Sequence, residues 1–348
     1  MVESIREQVR HYYGTVLTGS ADLKTNACCA SAPPPPRVAA ALANVHPDVT
    51  ARFYGCGWPS AEAVEGRTIL DLGCGTGRDV FVLAQLAGPR GRVIGVDMTE
   101  SQLAVARASV GWHAERFGYA NVELHQGFIE DLSTIPDGSV DVVVSNCVVN
   151  LSPRKDQVLR EVLRVLAPGG EFTFADVFCD RRLPAAVAND PVLHAECLGG
   201  AMVDFDFEQL AKATGFLDPR VVSRAPIAIT QPAIAEKVGA ARFSSLTLRL
   251  FKLPGLEPRC EDYGQLATYR RPIADVGPLF RLDDHHLFEL GRPERVCGNT
   301  AAMLRDTRFG AHFEVAGDTS VHFGVYPCGP TLADTVYGNQ GGATGGCC

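Results

Sequence analysis

The residues best suited to chemistry in this sequence are its cysteines, which number 12 among 348 residues. Thiolates bind soft centres, so an excess of cysteines raises the question of a soft ligand. No CxxC spacing occurs, which excludes the usual zinc-ribbon and thioredoxin motifs. Because free cysteine is often a small buried residue, a functional assignment also needs a position that packing does not explain.

Four cysteines stand out by their position. Cys147 lies at the end of a predicted strand, in SNCVVN, where the alternative explanation is a small buried residue. Cys197 lies in the segment AECLGG, and Cys56 lies between two glycines that leave its thiol accessible. Cys28 lies on an irregular N-terminal stretch. Glycine-flanked cysteines in loops, such as Cys56 and Cys197, are poor candidates for filling a core. All four cysteines are candidate functional residues.

A glycine-rich loop, Gly73–Gly77, follows the predicted strand Thr68–Leu72. Its glycines alternate as GxGxG, whereas a dinucleotide dehydrogenase needs GxGxxG, with its third glycine where Arg78 stands. The loop therefore suits a ligand that passes close to the backbone without a pyrophosphate. Asp97 ends the next strand, where a carboxylate can accept both ribose hydroxyls. Phe128–Asp131 follows the third strand and is placed to flank an adenine.

The elements that position these residues are predicted as strands and helices that alternate from residue 68 onward. The predicted strands are 68–72, 92–97, 121–125, 140–145 and 171–177, and the predicted helices are 78–87, 99–117 and one after Ser152–Pro153. Thr99 and Gln102 have the spacing of a capping box. The alternation is typical of an α/β fold with a parallel sheet covered on both faces. Beyond Cys197 it fades, and periodicity predicts strands at 246–250 and 321–325.

Changes in composition and pattern divide the chain into four predicted parts. We expect an N-terminal arm with cysteine loops over 1–60 and a cofactor-binding domain over 61–195. A smaller domain of mixed helices and strands should follow over 196–278. Residues 279–348 should form a C-terminal domain that ends in a glycine-rich, flexible tail.

Composition restricts the class of protein further. Hydrophobic residues make up 46% of the chain and charged residues 21%, as in ordinary globular proteins. The net charge of −8 repels phosphate backbones, so we expect no nucleic-acid partner. The sequence contains no apolar run of 18 residues, and its charged first residues do not resemble a signal peptide. We therefore expect a cytoplasmic protein with no membrane span.

Four features of the sequence occur in the order found in one fold family. They are the GxGxG loop, the acid that closes the second strand, the acidic loop after the third strand, and the turn Leu166–Gly170. Together they resemble the class I S-adenosylmethionine-dependent methyltransferases over residues 66–180, which implies a Rossmann-like, parallel-rich sheet. The resemblance implies that S-adenosyl-L-methionine binds beyond strands one and four, and the expected contacts are Asp71, Gly73, Gly75, Thr76, Gly77, Asp97, Met98, Ile129, Glu130 and Asn146.

A narrower resemblance rests on six motifs that span nearly the whole chain. They are LKTNAC, FYGCG, DLGCGTGRD, SNCVVNL, ECLGGA and EDYGQLATY, and in this order they resemble the arsenite S-adenosylmethionine methyltransferases, with a C-terminal end similar to the microbial and algal members. The resemblance implies catalytic roles for Cys28, Cys56, Cys147 and Cys197. The last two are the implied arsenic-binding pair, with Cys56 or Cys28 as third ligand. Cys29 is an alternative to Cys28.

The resemblance also implies an activity and its requirements. Such an enzyme methylates trivalent arsenic, with arsenite and methylarsenite as substrates in the form of glutathione conjugates. The resemblance also implies that Cys28 and Cys56 take part in thiol–disulfide redox, with glutathione or thioredoxin as reductant. It implies an arsenic-binding role for 196–278, and we expect a monomer. Two other functions fit parts of the sequence: a small-molecule methyltransferase acting on carbon, oxygen or nitrogen, and a non-enzymatic metalloid-binding protein. The GxGxG loop and Asp97 argue against the second.

Overall fold

A computed structural model describes residues 2–17, 19, 22–25, 34–55, 58, 61–274, 276–327 and 329 of the chain. The predicted arm cysteine Cys28, its neighbour Cys29 and the predicted ligand Cys56 lie outside the described residues. The central element of the described part is a seven-stranded sheet, and smaller sheets follow it toward the C terminus.

Helices and strands alternate through the first half of the chain, as the sequence predicts. The strands are β1 (Thr68–Leu72), β2 (Arg92–Asp97), β3 (Val122–Gln126), β4 (Val140–Asn146), β5 (Leu166–Cys179), β6 (Arg220–Ile227), β7 (Phe243–Phe251), β8 (Leu266–Tyr269), β9 (Leu279–Arg281), β10 (Leu287–Glu289), β11 (Pro293–Arg295) and β12 (Phe313–Ala316). The α-helices are α1 (Val2–His11), α2 (Pro36–Leu42), α3 (Pro47–Thr50), α4 (Arg78–Ala87), α5 (Glu100–Phe117), α6 (Lys155–Val165), α7 (Ala185–Ala188), α8 (Pro191–Ala195), α9 (Asp204–Thr214), α10 (Pro232–Val238) and α11 (Gly298–Arg305). A π-helix over Tyr12–Val16 follows α1.

The central sheet has the strand order β3-β2-β1-β4-β5-β7-β6. β1 pairs in parallel with β2 and β4, β2 pairs in parallel with β3, and β4 pairs in parallel with β5. β7 is antiparallel to both β5 and β6. The predicted α/β fold with a parallel-rich sheet is therefore confirmed. The strand order reverses between β1 and β4, and in open sheets of this kind ligands bind beyond the carboxyl ends of the strands at that point.

The core lies on both faces of this sheet because its central strands are apolar on both sides. On one face α4 buries Val80, Phe81 and Leu83 against β1 and β4. On the other face α6 buries Val158 and Val162, which belong to a cluster that also contains side chains of β5 and α9. No helix within the described ranges combines the length and the apolar character needed to cross a membrane.

Two predictions of local structure are wrong. Residues 321–325 do not form a strand, since they contribute only an isolated bridge between Val325 and Glu261. Their alternating apolar side chains are all exposed, so the alternation has no buried face. Thr99 does begin α5, but its side chain makes no capping hydrogen bond. The Gln102 amide instead donates to the backbone oxygen of Tyr13, 2.9 Å away, which attaches the N-terminal segment to α5.

The division into domains stays a prediction, with one structural finding that bears on it. β6 and β7 belong to the predicted 196–278 region, yet they hydrogen-bond into the same sheet as β1. Residues after β7 build the sheet β11-β8-β12 and the hairpin β9-β10 around a separate apolar cluster. A buried ion pair connects this part to the central sheet, since Arg308 lies 2.5 Å from Glu171 of β5.

Candidate active site

A cavity of about 990 Å³, open to solvent, lies at the point where the strand order reverses. Its walls come from the segments that follow β1, β2, β3 and β4, as expected for a parallel sheet. Nine of the ten residues predicted to bind the cofactor line it: Asp71, Gly73, Gly75, Thr76, Asp97, Met98, Ile129, Glu130 and Asn146. The exception is Gly77, which lies outside the lining and precedes α4 with a φ of 88°.

The glycine loop is held against the end of β2, so that its backbone forms the floor of the cavity. The backbone nitrogen of Gly73 donates to the oxygen of Val96 over 2.8 Å. A Cβ on Gly73 would lie 2.5 Å from the side chain of Val148, and its φ of 69° also favours glycine. Gly75 and Thr99 donate their backbone N–H groups to the carboxylate of Asp97 over 2.8 and 2.7 Å. The Thr99 side chain also hydrogen-bonds to it, so Asp97 is fixed in orientation and keeps acceptor capacity for a ligand.

Three carboxyl groups line this cavity close together, which suits a cationic ligand. Burial raises the pKa of Asp97, and burial together with Asp79 and Asp97 raises the pKa of Asp71 well above its usual range. Asp79 accepts from Asn146 over 3.0 Å and pairs with Arg78 at 2.7 Å. A positive charge bound here would relieve the mutual repulsion of the carboxylates. The sequence prediction omitted Asp79, although it lies in the quoted motif DLGCGTGRD.

The N-terminal segment forms one wall of the cavity. Arg6 of α1 lies 3.3 Å from Glu130 and 5.0 Å from the ring centre of Phe128. Tyr13 also lines the cavity and is held by the amide of Gln102. Nothing in the local sequence near Arg6 marks it as a site residue, because its partner is 124 residues away along the chain.

The two described candidate cysteines meet beside the cavity. Cys147 follows β4 and lines the cavity, while Cys197 is fully buried behind it. The Cys197 thiol donates to the backbone oxygen of Cys147 over 3.1 Å. Both residues have positive φ, 57° and 66°, and among non-glycine residues of the described ranges only Ala63 shares this. Such strain is typical of functional positions.

The structure shows Cys147 in its oxidised state. Cys147 is disulfide-bonded. Cys197 is not part of a disulfide bond. A disulfide sulfur cannot serve as a thiolate ligand, so Cys147 must be reduced before it can bind a soft centre.

A buried carboxyl group, that of Asp176 in β5, lies next to Cys147 and Cys197. The sulfur atoms of Cys147 and Cys197 and a carboxylate oxygen of Asp176 all lie within 4.8 Å of one another. Burial raises the pKa of Asp176 to about 6, and burial lowers the pKa of Lys155 to about 8. Sequence reasoning missed Asp176, although a single acid in the apolar run FTFADVF of a central strand is a signal that could have identified it.

Close backbone packing brings Cys197 to the end of β4. A Cβ on Gly200 would lie 2.1 Å from the backbone oxygen of Asn150, so only glycine fits there. We expect Gly200→Ala to lower the free energy of unfolding by about 1–3 kcal/mol through overpacking. Gly111→Ala is the matched control, because Gly111 lies in α5 with open space around it and alanine favours helix. Urea unfolding of both variants measures the difference, and equal stability would refute the packing argument.

Glu196, directly before Cys197, binds the N-terminal segment. Its carboxylate is fully buried and accepts from the Tyr12 hydroxyl and the Lys24 backbone nitrogen, each over 2.5 Å, and from the Thr25 backbone nitrogen. The adjacent Ala195 oxygen accepts from the Tyr13 hydroxyl over 2.9 Å. One carboxylate therefore ties the segment that leads toward residue 28 to the residue next to Cys197.

We expect Glu196→Gln to release this segment, because an amide nitrogen cannot accept from the N–H groups that the carboxylate binds. Losing charge-assisted hydrogen bonds costs about 1.5–3 kcal/mol, which corresponds to about 10- to 100-fold in catalytic efficiency if the segment must be docked. Hydrogen exchange of the Lys24 and Thr25 amides should accelerate in parallel. The control is Glu208→Gln, which breaks a surface pair with Lys212. Unchanged protection of both amides in the Glu196 variant would contradict this assignment.

Comparison with known proteins first gives the class. Residues 63–219 match a family described as a methyltransferase domain. The family match, the strand order β3-β2-β1-β4-β5-β7-β6 and the cavity at the point where that order reverses together define a class I S-adenosylmethionine-dependent methyltransferase fold.

Relatives that match over the whole length then give the family. The chain is 55% identical over 331 residues to an arsenite methyltransferase from Aquipseudomonas alcaligenes, covering 94% of this chain and 96% of the relative. It is 42% identical over 316 residues to an arsenite methyltransferase from Homo sapiens, covering 89% and 83%. The crystal structure of an arsenic(III) S-adenosylmethionine methyltransferase from Chlamydomonas reinhardtii matches with a TM-score of 0.82 and 47% identity, over 85% of this chain and 100% of that one. This chain belongs to the arsenite methyltransferase family.

Proposed function

We propose that this protein transfers a methyl group from S-adenosyl-L-methionine to trivalent arsenic held by Cys147 and Cys197. The observation that carries the proposal is the placement of Cys147: it lines the cavity while its backbone oxygen accepts from the Cys197 thiol. A third thiolate comes from Cys56 or Cys28. Membership of the arsenite methyltransferase family supports the same substrate.

The cavity residues fit the cofactor in charge and shape. S-adenosyl-L-methionine, when bound, supplies an electrophilic methyl group on a positively charged sulfonium. The carboxylates of Asp71, Asp79 and Asp97 offset that charge, and the pKa of Asp71 falls as a cation replaces the repulsion from its neighbours. Asp97 keeps acceptor capacity for a ribose hydroxyl, and Glu130, held by the Ser152 hydroxyl at 2.6 Å, lies where the adenine is expected.

The cysteines supply the reactivity of the substrate. Trivalent arsenic bound by three thiolates keeps a lone pair, and this lone pair is the nucleophile. It carries no proton, so the transfer needs no general base. What Cys147 and Cys197 contribute is position, and holding two reactants in line can lower a barrier by about 7–11 kcal/mol. The strained, buried backbone at both cysteines serves this purpose.

The proposal includes a source of electrons, because methylation formally oxidises arsenic from the trivalent to the pentavalent state. Cys28 and Cys56 are the proposed dithiol that is oxidised to a disulfide, and glutathione or thioredoxin reduces it again. The disulfide at Cys147 requires the same reductant before arsenic binds. A cytoplasmic location accompanies this proposal, since reduced thiols persist there.

The test is incubation of the reduced full-length protein with arsenite, glutathione and S-adenosyl-L-methionine, followed by chromatographic separation of the arsenic species. We expect methylated arsenic in amounts that match the S-adenosylhomocysteine formed, and the products show how many methyl groups are added. Omitting glutathione while supplying thioredoxin identifies the reductant. S-adenosylhomocysteine that forms only with an organic acceptor would instead support a small-molecule methyltransferase.

A further inference from the structure

The buried cluster of Cys147, Asp176 and Cys197 has a donor set that trivalent arsenic does not need. Arsenic is held by thiolates, yet here two sulfur atoms and one carboxylate oxygen lie within 4.8 Å of one another. We propose that in the reduced protein these three side chains bind a soft divalent cation, with Cd²⁺ as the test ion, in competition with arsenic. The competition rests on the proposed function, whereas the cation binding does not.

The spacing of the three donor atoms fits a four-coordinate cation. Zinc ligated by sulfur at about 2.3 Å and oxygen at about 2.0–2.2 Å places its ligands roughly 3.5–3.8 Å apart. Donor atoms that lie within 4.8 Å of one another can therefore converge on one ion, either Zn²⁺ or the larger Cd²⁺. Because Cys147 lines the open cavity, water can reach the fourth coordination position.

Asp176 is held in a fixed orientation by backbone groups. Its two carboxylate oxygens accept from the backbone nitrogens of Asn150 and Val177 over 2.9 and 2.8 Å. Val149 contributes a third backbone hydrogen bond, and the carboxylate keeps acceptor capacity for a cation. Hydrogen-bonded carboxylates of this kind are typical of metal ligands, because the surrounding donors fix their direction.

The balance of charge also favours a divalent ion. Two thiolates and the Asp176 carboxylate carry three negative charges. Lys155 interacts with both Asp176 and Cys197, and its ammonium group is positioned by the backbone oxygens of Asn150 and Ser152 at 3.1 and 3.0 Å. One lysine and one divalent cation neutralise the group. Arsenic on three thiolates is already neutral and leaves Asp176 to pair with Lys155.

The first experiment titrates the reduced, full-length protein with Cd²⁺ alone and follows the ultraviolet charge-transfer absorption of the cadmium–thiolate bond. We expect one tight site in the wild type and no such site in Cys197→Ser. Asp176→Asn, which keeps the shape of the side chain, should weaken binding at least tenfold. Cys179→Ser is the matched control, since Cys179 is another buried free thiol outside the cluster. Equal affinity in wild type and Asp176→Asn overturns the proposal.

A second measurement needs no variant and therefore does not depend on how Asp176→Asn folds. X-ray absorption of the Cd²⁺ complex should show two sulfur and two oxygen neighbours. Three or four sulfur neighbours would mean that other cysteines replace Asp176, and the proposal would be wrong. Arsenite should displace Cd²⁺ stoichiometrically if both use the same pair. Asp176-dependent Cd²⁺ binding without methylation of arsenic would contradict the proposed function and leave this inference intact.

Discussion

Serine in place of either Cys147 or Cys197 is expected to abolish methylation of both arsenite and methylarsenite. A serine hydroxyl is a hard donor that stays protonated at neutral pH and does not replace a thiolate on a soft centre. The two sulfur atoms share one buried cluster, so in the proposed site the loss of either one would remove the geometry that aims the arsenic lone pair at the cavity. Initial rates from separated arsenic species should fall by at least about 100-fold, which corresponds to about 2.7 kcal/mol.

The controls separate a catalytic role from a structural one. Cys197 does not line the cavity, so Cys197→Ser should bind S-adenosyl-L-methionine as the wild type does in calorimetric titration. Cys179→Ser removes a buried free thiol from β5 and should keep the wild-type rate. A wild-type rate in either of the first two variants would show that the arsenic site has been assigned to the wrong cysteines.

Replacing Asp97 with alanine is expected to weaken binding of S-adenosyl-L-methionine by about 100-fold. The carboxylate makes two kinds of contact: it would accept hydroxyl donors from the ligand, and it holds the backbone nitrogens of Gly75 and Thr99. Hydrogen bonds to a charged group contribute about 1.5–3 kcal/mol each, so the loss of the ligand contacts alone accounts for the effect. Calorimetric titration with S-adenosylhomocysteine gives the affinity without turnover.

A matched variant tests whether position or charge decides the result. Asp131 is an exposed acid three residues after Phe128 in the same loop, and it does not line the cavity. Asp131→Ala removes the same charge and should change the affinity less than twofold. Comparable losses in both variants would indicate a long-range electrostatic effect, and the assignment of Asp97 to the ribose would then fail.

Local sequence was enough to predict most of the residues that line the cavity. The strand β1, the glycine loop and Asp97 are close in sequence, and each has a pattern with one physical explanation: close approach for Gly73, a strand-end carboxylate for Asp97. Contacts made at long range were not predictable in this way. Arg6 reaches Glu130 across 124 residues, and Glu196 reaches Tyr12 across 184, so no local pattern specifies either pair.

The antiparallel end of the central sheet, at β7, shows a second limit of prediction from sequence. Strand β7 is predicted from the alternation at 246–250, but its place between β5 and β6 follows from side chains buried on both faces. The same alternation at 321–325 gives no strand, because no neighbouring element covers those side chains. Periodicity indicates that a segment can form a strand, and only the packing of the whole domain decides whether it does.

Buried cysteines outside the proposed arsenic site are also potential targets for arsenic. Cys74 lies in the glycine loop, within reach of the cavity, and burial with Asp97 and Asp71 raises its pKa well above the usual range. Burial also raises the pKa of Cys179. Arsenic reacts with thiolates, so a thiol kept protonated is a slow target. The carboxylates that line the cavity therefore have a second effect, because together with burial they favour the protonated form of the cysteine in the glycine loop.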